Sequence, residues 1–333
     1  MTRRRSGTNW SRLRSLIESS LRQQPGFQGN FQLKEKIWIL GDGLFHKSYA
    51  FEAGDQKLVL RLARLECGLQ SRTEAIAGVR RESKTLQALQ SLEFPFAIPE
   101  LICLVTDDSG ESIGLIESAV EGLPLNYLSR GFNAESQLKT IAQAASATHR
   151  LPKSKFTHLA QRADSRTHVL EELNVLPASL FGEFGEAAMA REWILCNLAE
   201  ARTSTVLHGD LLPQNLLFAI ADDREIAVVD WECAQIGDAA YDLAIVTRGV
   251  RRPLGVANGL QQLVSFYNET AEQQISPSAV AVHELLLHLH WLAESQTENR
   301  PGGHGPEHYA VLLGSILRRA LALDANRVPR ISQ

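Results

Sequence analysis

Two periodicities divide the chain. Between residues 31 and 63 the apolar positions alternate. Leu58, Leu60 and Leu62 fall on one face of a strand, and Val59, Arg61 and Ala63 on the other. Residues 36–40 and 48–53 show a similar extended pattern, separated from each other by Gly41-Asp-Gly43 and from the third segment by Gly54-Asp55, so three strands are expected. Residues 98–120 predict two more, around the turn Asp107-Asp108-Ser109-Gly110. Between these groups, Val79, Leu86 and Leu89 recur at helical spacing and predict a helix over 74–90. Upstream, Trp10, Leu13, Ile17 and Leu21 predict a helix closed by Pro25-Gly26 and packed on this first region. After Val120-Glu121-Gly122-Leu123-Pro124, which reads as a linker, the period changes to helical. Helices are expected at 134–149, 184–202 and 278–295, within a broken helical tail over 256–323, and 151–180 reads as loop. The expected organisation is a helical extension (1–29), a sheet-plus-helix lobe (30–121) and a mainly helical lobe (122–333).

Two residues violate these patterns. Arg61 points from a strand face where only Val59 and Ala63 flank it, and Glu82 falls on the apolar stripe of the 74–90 helix. A carboxylate on such a stripe is costly unless paired. An Arg61–Glu82 ion pair resolves both anomalies; a snorkelling Arg61 is the alternative, and Glu74 the weaker partner.

Composition narrows the class without naming it. The 333 residues are 44% hydrophobic and 22% charged, with a net charge of −4, which fits a globular protein with no general affinity for nucleic acid. Residues 1–121 carry 16 basic and 15 acidic groups, the remainder 18 and 23. The acidic excess of the second half reads first as a solvated surface, and it tolerates a cationic substrate. Cys67, Cys103, Cys196 and Cys233 have no paired spacing, which suits a reduced cytoplasmic protein better than disulfides or zinc. Arg3-Arg4-Arg5 precedes no apolar h-region, and no run is long enough to span a bilayer.

The chemistry concentrates in VLHGDLLPQNLLFAIADDREIAVVDWECAQIGDAAYDL, residues 206–243. Two apolar runs, 215–220 and 226–230, flank the polar turn 221–224, so a hairpin is expected. Closed symmetrically about that turn, it sets Asn215 opposite Asp230, with Cα atoms ~4.5–5.5 Å apart. Two oxygen donors at its open end suit a hard cation such as Mg²⁺, and Asp210 enters from the preceding loop. An Asp that orients and deprotonates a hydroxyl, with an Asn and a second Asp holding the metal, is the arrangement of a phosphoryl-transfer site.

The ordered set HGDLLPQN, VVDWE and GDAAYDLA resembles the aminoglycoside phosphotransferase/choline kinase family of small-molecule kinases. The resemblance implies an α+β, two-lobed protein-kinase-like fold, with an antiparallel sheet plus helix in the N-lobe and a mainly helical C-lobe. It implies transfer of the γ-phosphoryl of ATP (GTP remains open) to a hydroxyl of a small-molecule acceptor, monomeric or homodimeric, with no nucleic-acid or membrane partner. Asp210 would be catalytic, and Asn215 and Asp230 would hold Mg²⁺. Arg61, fixed by Glu82, would grip the phosphates, with Arg where protein kinases have Lys. The turn bearing Gly41 and Gly43 loosely resembles the nucleotide flap, and the backbone of Glu117 and Ala119 would meet the adenine edge. His208 and Trp231 would be scaffold, and Asp238 and Asp242 would tie the loop after Asp230 to the helix near Tyr241. Phosphorylation of a protein, or nucleotide binding without catalysis, are the rival functions. Histidines 288 and 290 point two ways on a helix and make a poor metal pair.

Overall fold

The computed structural model describes residues 10–28, 31–42, 46–65, 71–125, 134–198, 201–219, 226–247, 256, 258–296 and 304–325. The expected turn at 221–224, Gly43 and Cys67 lie outside them. The chain forms two compact units, one of residues 1–93 and 98–121, the other of 94–97 and 122–333.

The first unit is a five-stranded antiparallel sheet with two helices. Strands β1 (Trp38–Asp42), β2 (His46–Ala53), β3 (Gln56–Ala63), β4 (Leu101–Thr106) and β5 (Ser112–Ser118) lie in the order β1-β2-β3-β5-β4. The β2–β3 register sets Tyr49 opposite Leu60 and Phe51 opposite Leu58. This face is buried against Leu13, Ile17 and Leu21 of α1 (Trp10–Leu21), a stripe spaced four residues apart that needs an apolar partner. The helix α2 (Arg72–Gln90) starts two residues earlier than expected because Ser71 and Glu74 form a capping box. Glu74 is thereby committed to the helix start, which leaves Glu82 as the partner for Arg61. Gly114 lets β5 run close to β3, since a Cβ there would lie 2.4 Å from the Arg61 carbonyl oxygen.

The second unit is mainly helical. It contains β6 (Gly122–Pro124), α3 (Ala134–His149), α4 (Ser165–Asn174), α5 (Ala178–Glu183), α6 (Gly185–Cys196), β7 (Thr205–Leu207), β8 (Leu216–Ala219), β9 (Ile226–Val228), β10 (Gln235–Gly237), α7 (Ala240–Thr247), α8 (Gly259–Thr270), α9 (Pro277–Ser295) and α10 (Pro306–Ala325). Segment 151–180, expected to be loop, holds α4 and the first half of α5. Asp164 caps α4 through the Thr167 amide, and Val169, Leu173 and Leu180 join one apolar cluster with α6, α9 and α10. Its polar composition hid the three or four apolar anchors that tertiary burial uses. Phe94 to Ala97 belong with this unit because Ala97 bridges β9, exchanging backbone hydrogen bonds of 3.0 and 2.9 Å with Ile226 and Val228. Among the described residues no helix is long and apolar enough to cross a membrane.

Buried Glu284 on α9 supplies a pH test of this core. Its carboxylate accepts from Arg319 at 3.0 Å, yet burial outweighs that cation and raises its pKa from 4.5 to about 7. The folded chain thus holds a proton here that the unfolded chain has released. Stability from this group is full below about pH 4.5 and falls as pH rises towards 7, at up to about 1.4 kcal/mol per unit. Glu284→Gln should flatten that slope in urea titrations taken across the window. An unchanged slope would show the carboxyl to be ionised already.

Candidate functional site

Backbone geometry places Asp210 before any side chain does. The chain leaves β7 through His208 and turns at Gly209, whose φ of +83° favours glycine. A Cβ at Gly209 would lie 2.0 Å from the Cys233 carbonyl oxygen, so no other residue fits there unaltered. Asp242, fully buried on α7, accepts from the amides of His208 at 2.9 Å and Gly209 at 2.8 Å. His149 Nε2–H donates to the same carboxylate at 3.1 Å, and its Nδ1 accepts from the Tyr267 hydroxyl at 2.9 Å. Burial acts to raise the Asp242 pKa, but the His149 hydrogen bond and neighbouring charge outweigh it and hold the carboxyl below the usual range.

His208 takes the scaffold role. Its Nε2–H donates to the Val229 carbonyl at 3.1 Å and its Nδ1 accepts from the Asp210 amide at 3.2 Å, so both ring nitrogens are engaged. Trp231 is fully buried, donates from Nε1 to the Val228 carbonyl at 3.1 Å, and packs on His208 with ring centroids 4.6 Å apart. Asn215, which is 5% exposed, closes the loop. Its Nδ2 donates to the Asp210 carbonyl at 2.8 Å and to Asp210 Oδ2 at 3.0 Å. Its Oδ1 accepts no hydrogen bond from the described residues.

The hairpin forms, with its register one residue from the expected one. Leu216 pairs with Val228 and Phe218 with Ile226, and the Val229 amide donates to the Asn215 carbonyl at 3.0 Å. Asn215 therefore stands opposite Val229, not Asp230. Pro213 to Asn215 form a 3-10 turn ahead of β8, and Asp230 lies beyond the end of β9. At φ 72° and ψ 60°, Asp230 is the only non-glycine residue with positive φ among the described residues. Such a conformation persists only where its surroundings impose it, and it re-aims the carboxylate away from the simple pleat.

The expected tie is present at Asp238, whose Oδ1 accepts from the Ala240 amide at 3.2 Å at the start of α7, and differs at Asp242. Asp242 anchors the turn before Asp210, not the loop after Asp230. Asp238 accepts from Arg202 at 2.6 Å and from His283 Nε2–H at 2.9 Å. Burial opposes its ionisation, yet the His283 bond and the Arg202 charge keep its pKa well below the usual carboxylate range. His149, Tyr267, Arg202 and His283 were not among the sequence candidates. His288 and His290 do diverge, Nδ1 of the first meeting the Glu284 carbonyl at 2.8 Å and Nε2 of the second meeting Glu172 at 3.1 Å.

In the first unit, Arg61 Nε lies 3.3 Å from Glu82 Oε1, with the side chains 9% and 1% exposed. The sheet and helix have buried this pair together, and snorkelling is excluded. Removing one member of a buried ion pair leaves the charge of the other less well compensated. Glu82→Ala should cost about 3–5 kcal/mol in urea unfolding, whereas the double variant Arg61→Met/Glu82→Leu should recover much of it. Equal losses in the two variants would contradict a coupled pair. Gly41 sits in β1 opposite Ser48. The Ala119 amide donates to the Lys57 carbonyl at 2.9 Å, which leaves its carbonyl as the backbone group with which Ala119 would meet an adenine edge. Glu117, 6% exposed, is paired with Val59 and Leu101 in the ladder.

Comparison with known proteins follows this geometry. The model of the phosphotransferase enzyme family (APH) matches residues 39–273, more than half of the chain. Viomycin phosphotransferase of Streptomyces vinaceus is 28% identical over 195 residues, which cover 53% of this chain and 64% of that protein. Among solved structures, an aminoglycoside phosphotransferase described as putative, from Ralstonia eutropha JMP134, superposes with a TM-score of 0.68 at 13% identity, covering 93% of this chain and 98% of its own. Aminoglycoside 2'-phosphotransferase-IIIa in its GDP complex gives 0.65 at 14%, covering 95% and 99%. A type I macrolide 2'-phosphotransferase gives 0.63 at 18%, covering 94% and 97%. These structural likenesses establish the α+β protein-kinase-like fold. With the match spanning the sheet of the first unit and the HGDLLPQN and VVDWE segments alike, the chain belongs to the phosphotransferase enzyme family.

Proposed function

We propose that the protein transfers the γ-phosphoryl group of ATP to a hydroxyl of a small-molecule acceptor. The observation that carries this reading is the closed loop at Asp210, whose carboxylate and carbonyl are both held by Asn215 Nδ2. Asp210 orients the acceptor hydroxyl and takes its proton as the oxygen attacks phosphorus. Asn215, through its Oδ1, and Asp230 would be two hard oxygen donors, one at the start of β8 and one just past the end of β9, and this donor set fits Mg²⁺. When bound, the metal neutralises charge on the phosphates. Arg61, kept in place by Glu82, supplies positive charge to the α- and β-phosphates.

Residues 231–239 lead straight into α7 through a 3-10 turn and β10, leaving no long regulated segment of the kind that serves protein substrates. Small-molecule acceptors are therefore favoured over proteins. Viomycin phosphotransferase as a relative points to antibiotic-type acceptors.

The test is incubation with Mg-ATP and a panel of hydroxylated amines, sugars and antibiotics, read as acceptor mass gain of one phosphoryl group. Binding of nucleotide with no transfer to any acceptor would instead favour a non-catalytic role. Asp230→Ala should weaken Mg-ATP binding at least tenfold in calorimetry while leaving metal-free nucleotide binding nearly unchanged. Equal loss in both titrations would remove Asp230 from the metal.

A further inference from the structure

The first unit holds a cavity of about 660 Å³ between α1 and one end of the sheet, and every residue lining it belongs to that unit. Small-molecule sites span about 300–1,000 Å³. We propose that this cavity binds an amphipathic acid, an aliphatic body ending in a carboxylate. The proposal is independent of the catalytic reading of Asp210.

Strand alternation separates the cavity from the Arg61–Glu82 pair. Lys47 stands opposite Leu62, Ser48 opposite Arg61 and Tyr49 opposite Leu60. Opposed residues share a face, and neighbours along a strand alternate. Lys47, Tyr49 and Leu62 therefore lie on the α1 side and line the cavity, whereas Ser48 and Arg61 point from the other side of the sheet.

Helix α1 carries two stripes. Leu13, Ile17 and Leu21 fill the core against the sheet. Arg12, Ser15, Leu16 and Ser19, at i, i+3, i+4 and i+7, form an adjoining stripe that lines the cavity. Covering the sheet needs only the first stripe. The second puts an aliphatic side chain and two hydroxyls over open space. Leu62, Leu65 and Ile113 complete an apolar wall suited to an aliphatic body.

The charges favour an anionic head. Lys47 ends a face of β2 and β3 that is otherwise apolar through Tyr49, Phe51, Leu58, Leu60 and Leu62. It has no ion pair with the described side chains. Arg12 adds a second positive charge to the lining. Of the two carboxylates there, Asp107 is committed elsewhere. Its Oδ2 accepts from Arg72 at 2.6 Å, and its Oδ1 accepts from the amides of Ser109 at 2.9 Å and Glu111 at 3.1 Å. A cationic ligand would find Asp108 alone, against Arg12 and Lys47. An uncharged apolar ligand would desolvate Lys47 without pairing it. A carboxylate pairs with the ammonium, and the hydroxyls of Ser15, Ser19 and Thr106 are available types of donor to its oxygens.

Octanoate is the probe, with 1-octanol and octyltrimethylammonium as controls of the same chain length. Calorimetric titration of the full chain should show octanoate binding at least roughly tenfold tighter than either control. Lys47→Gln should weaken octanoate roughly tenfold and leave 1-octanol nearly unchanged. Ser15→Trp should abolish octanoate binding by filling the cavity. Ser15 is exposed, and serine and tryptophan have similar helix propensities, so circular dichroism should be unchanged. Octanoate binding no tighter than the controls, or indifferent to both substitutions, overturns the proposal. Retention of the chain on phosphatidylglycerol vesicles, lost in Ser15→Trp, would make the cavity a membrane contact and would overturn it as well.

Discussion

Asp210→Ala is expected to lose at least 10²–10⁴-fold in phosphoryl transfer while still binding Mg-ATP. The variant removes the base that accepts the hydroxyl proton and the group that aims the attacking oxygen. The loop itself should persist, because the bond from Asn215 Nδ2 to the residue 210 carbonyl, at 2.8 Å, does not use the side chain. The two Asp242 contacts at 2.9 and 2.8 Å also survive. Asp210→Asn keeps the shape and removes the basicity, so it should lose nearly as much. The measurements are single-turnover transfer and nucleotide calorimetry on the same preparation. Turnover within tenfold of wild type in either variant would move the chemistry to another residue. His208 is a poor substitute, with both ring nitrogens already engaged.

Gly209→Ala is the second large effect, and it acts through the backbone. Two costs add at this position. A φ of +83° is unfavourable for any residue with a Cβ, and that Cβ would lie 2.0 Å from the Cys233 carbonyl oxygen and 2.7 Å from its carbon. Neither neighbour is a flexible side-chain tip, so the turn or the 231–233 segment must move. A stability loss of about 2–4 kcal/mol is expected in urea unfolding. Transfer should fall more than 10²-fold even in the folded fraction, since an ångström-scale displacement of a catalytic group has that effect. Cys233→Ala serves as the control, because it keeps the obstructing carbonyl, and it should leave stability nearly unchanged. A Gly209→Ala protein as stable and active as wild type would mean that the turn is not built on this close crossing.

The sequence carried much of what is local. Alternation at 58–63 and helical spacing at 74–90 defined a strand and a helix, and the two residues that broke those patterns, Arg61 and Glu82, are partners at 3.3 Å. A misplaced charge is informative because burial without a partner is so costly that a partner must exist. The hairpin at Asn215 was likewise visible as two apolar runs about a polar turn. Its register was not. The pairing is offset by one from symmetric closure, because register depends on the geometry of the connecting turn and not on its centre in the sequence, and the left-handed backbone of Asp230 has no signature in the sequence at all.

Tertiary structure decided the support around the Asp210 loop. His149 meets Asp242 from 93 residues away and Tyr267 from 118, and Arg202 reaches Asp238 across 36. Single histidines and tyrosines in helices leave no periodic trace, so their partners emerge only when the chain is folded. The same holds for the Ala119 amide, satisfied by Lys57, and for the helices within 151–180, stabilised by a core assembled from α6, α9 and α10. Periodicity records which side of an element faces apolar surroundings. It does not record which polar group waits there, because hydrogen bonds between distant segments depend on where the backbone carries them and not on the residues in between.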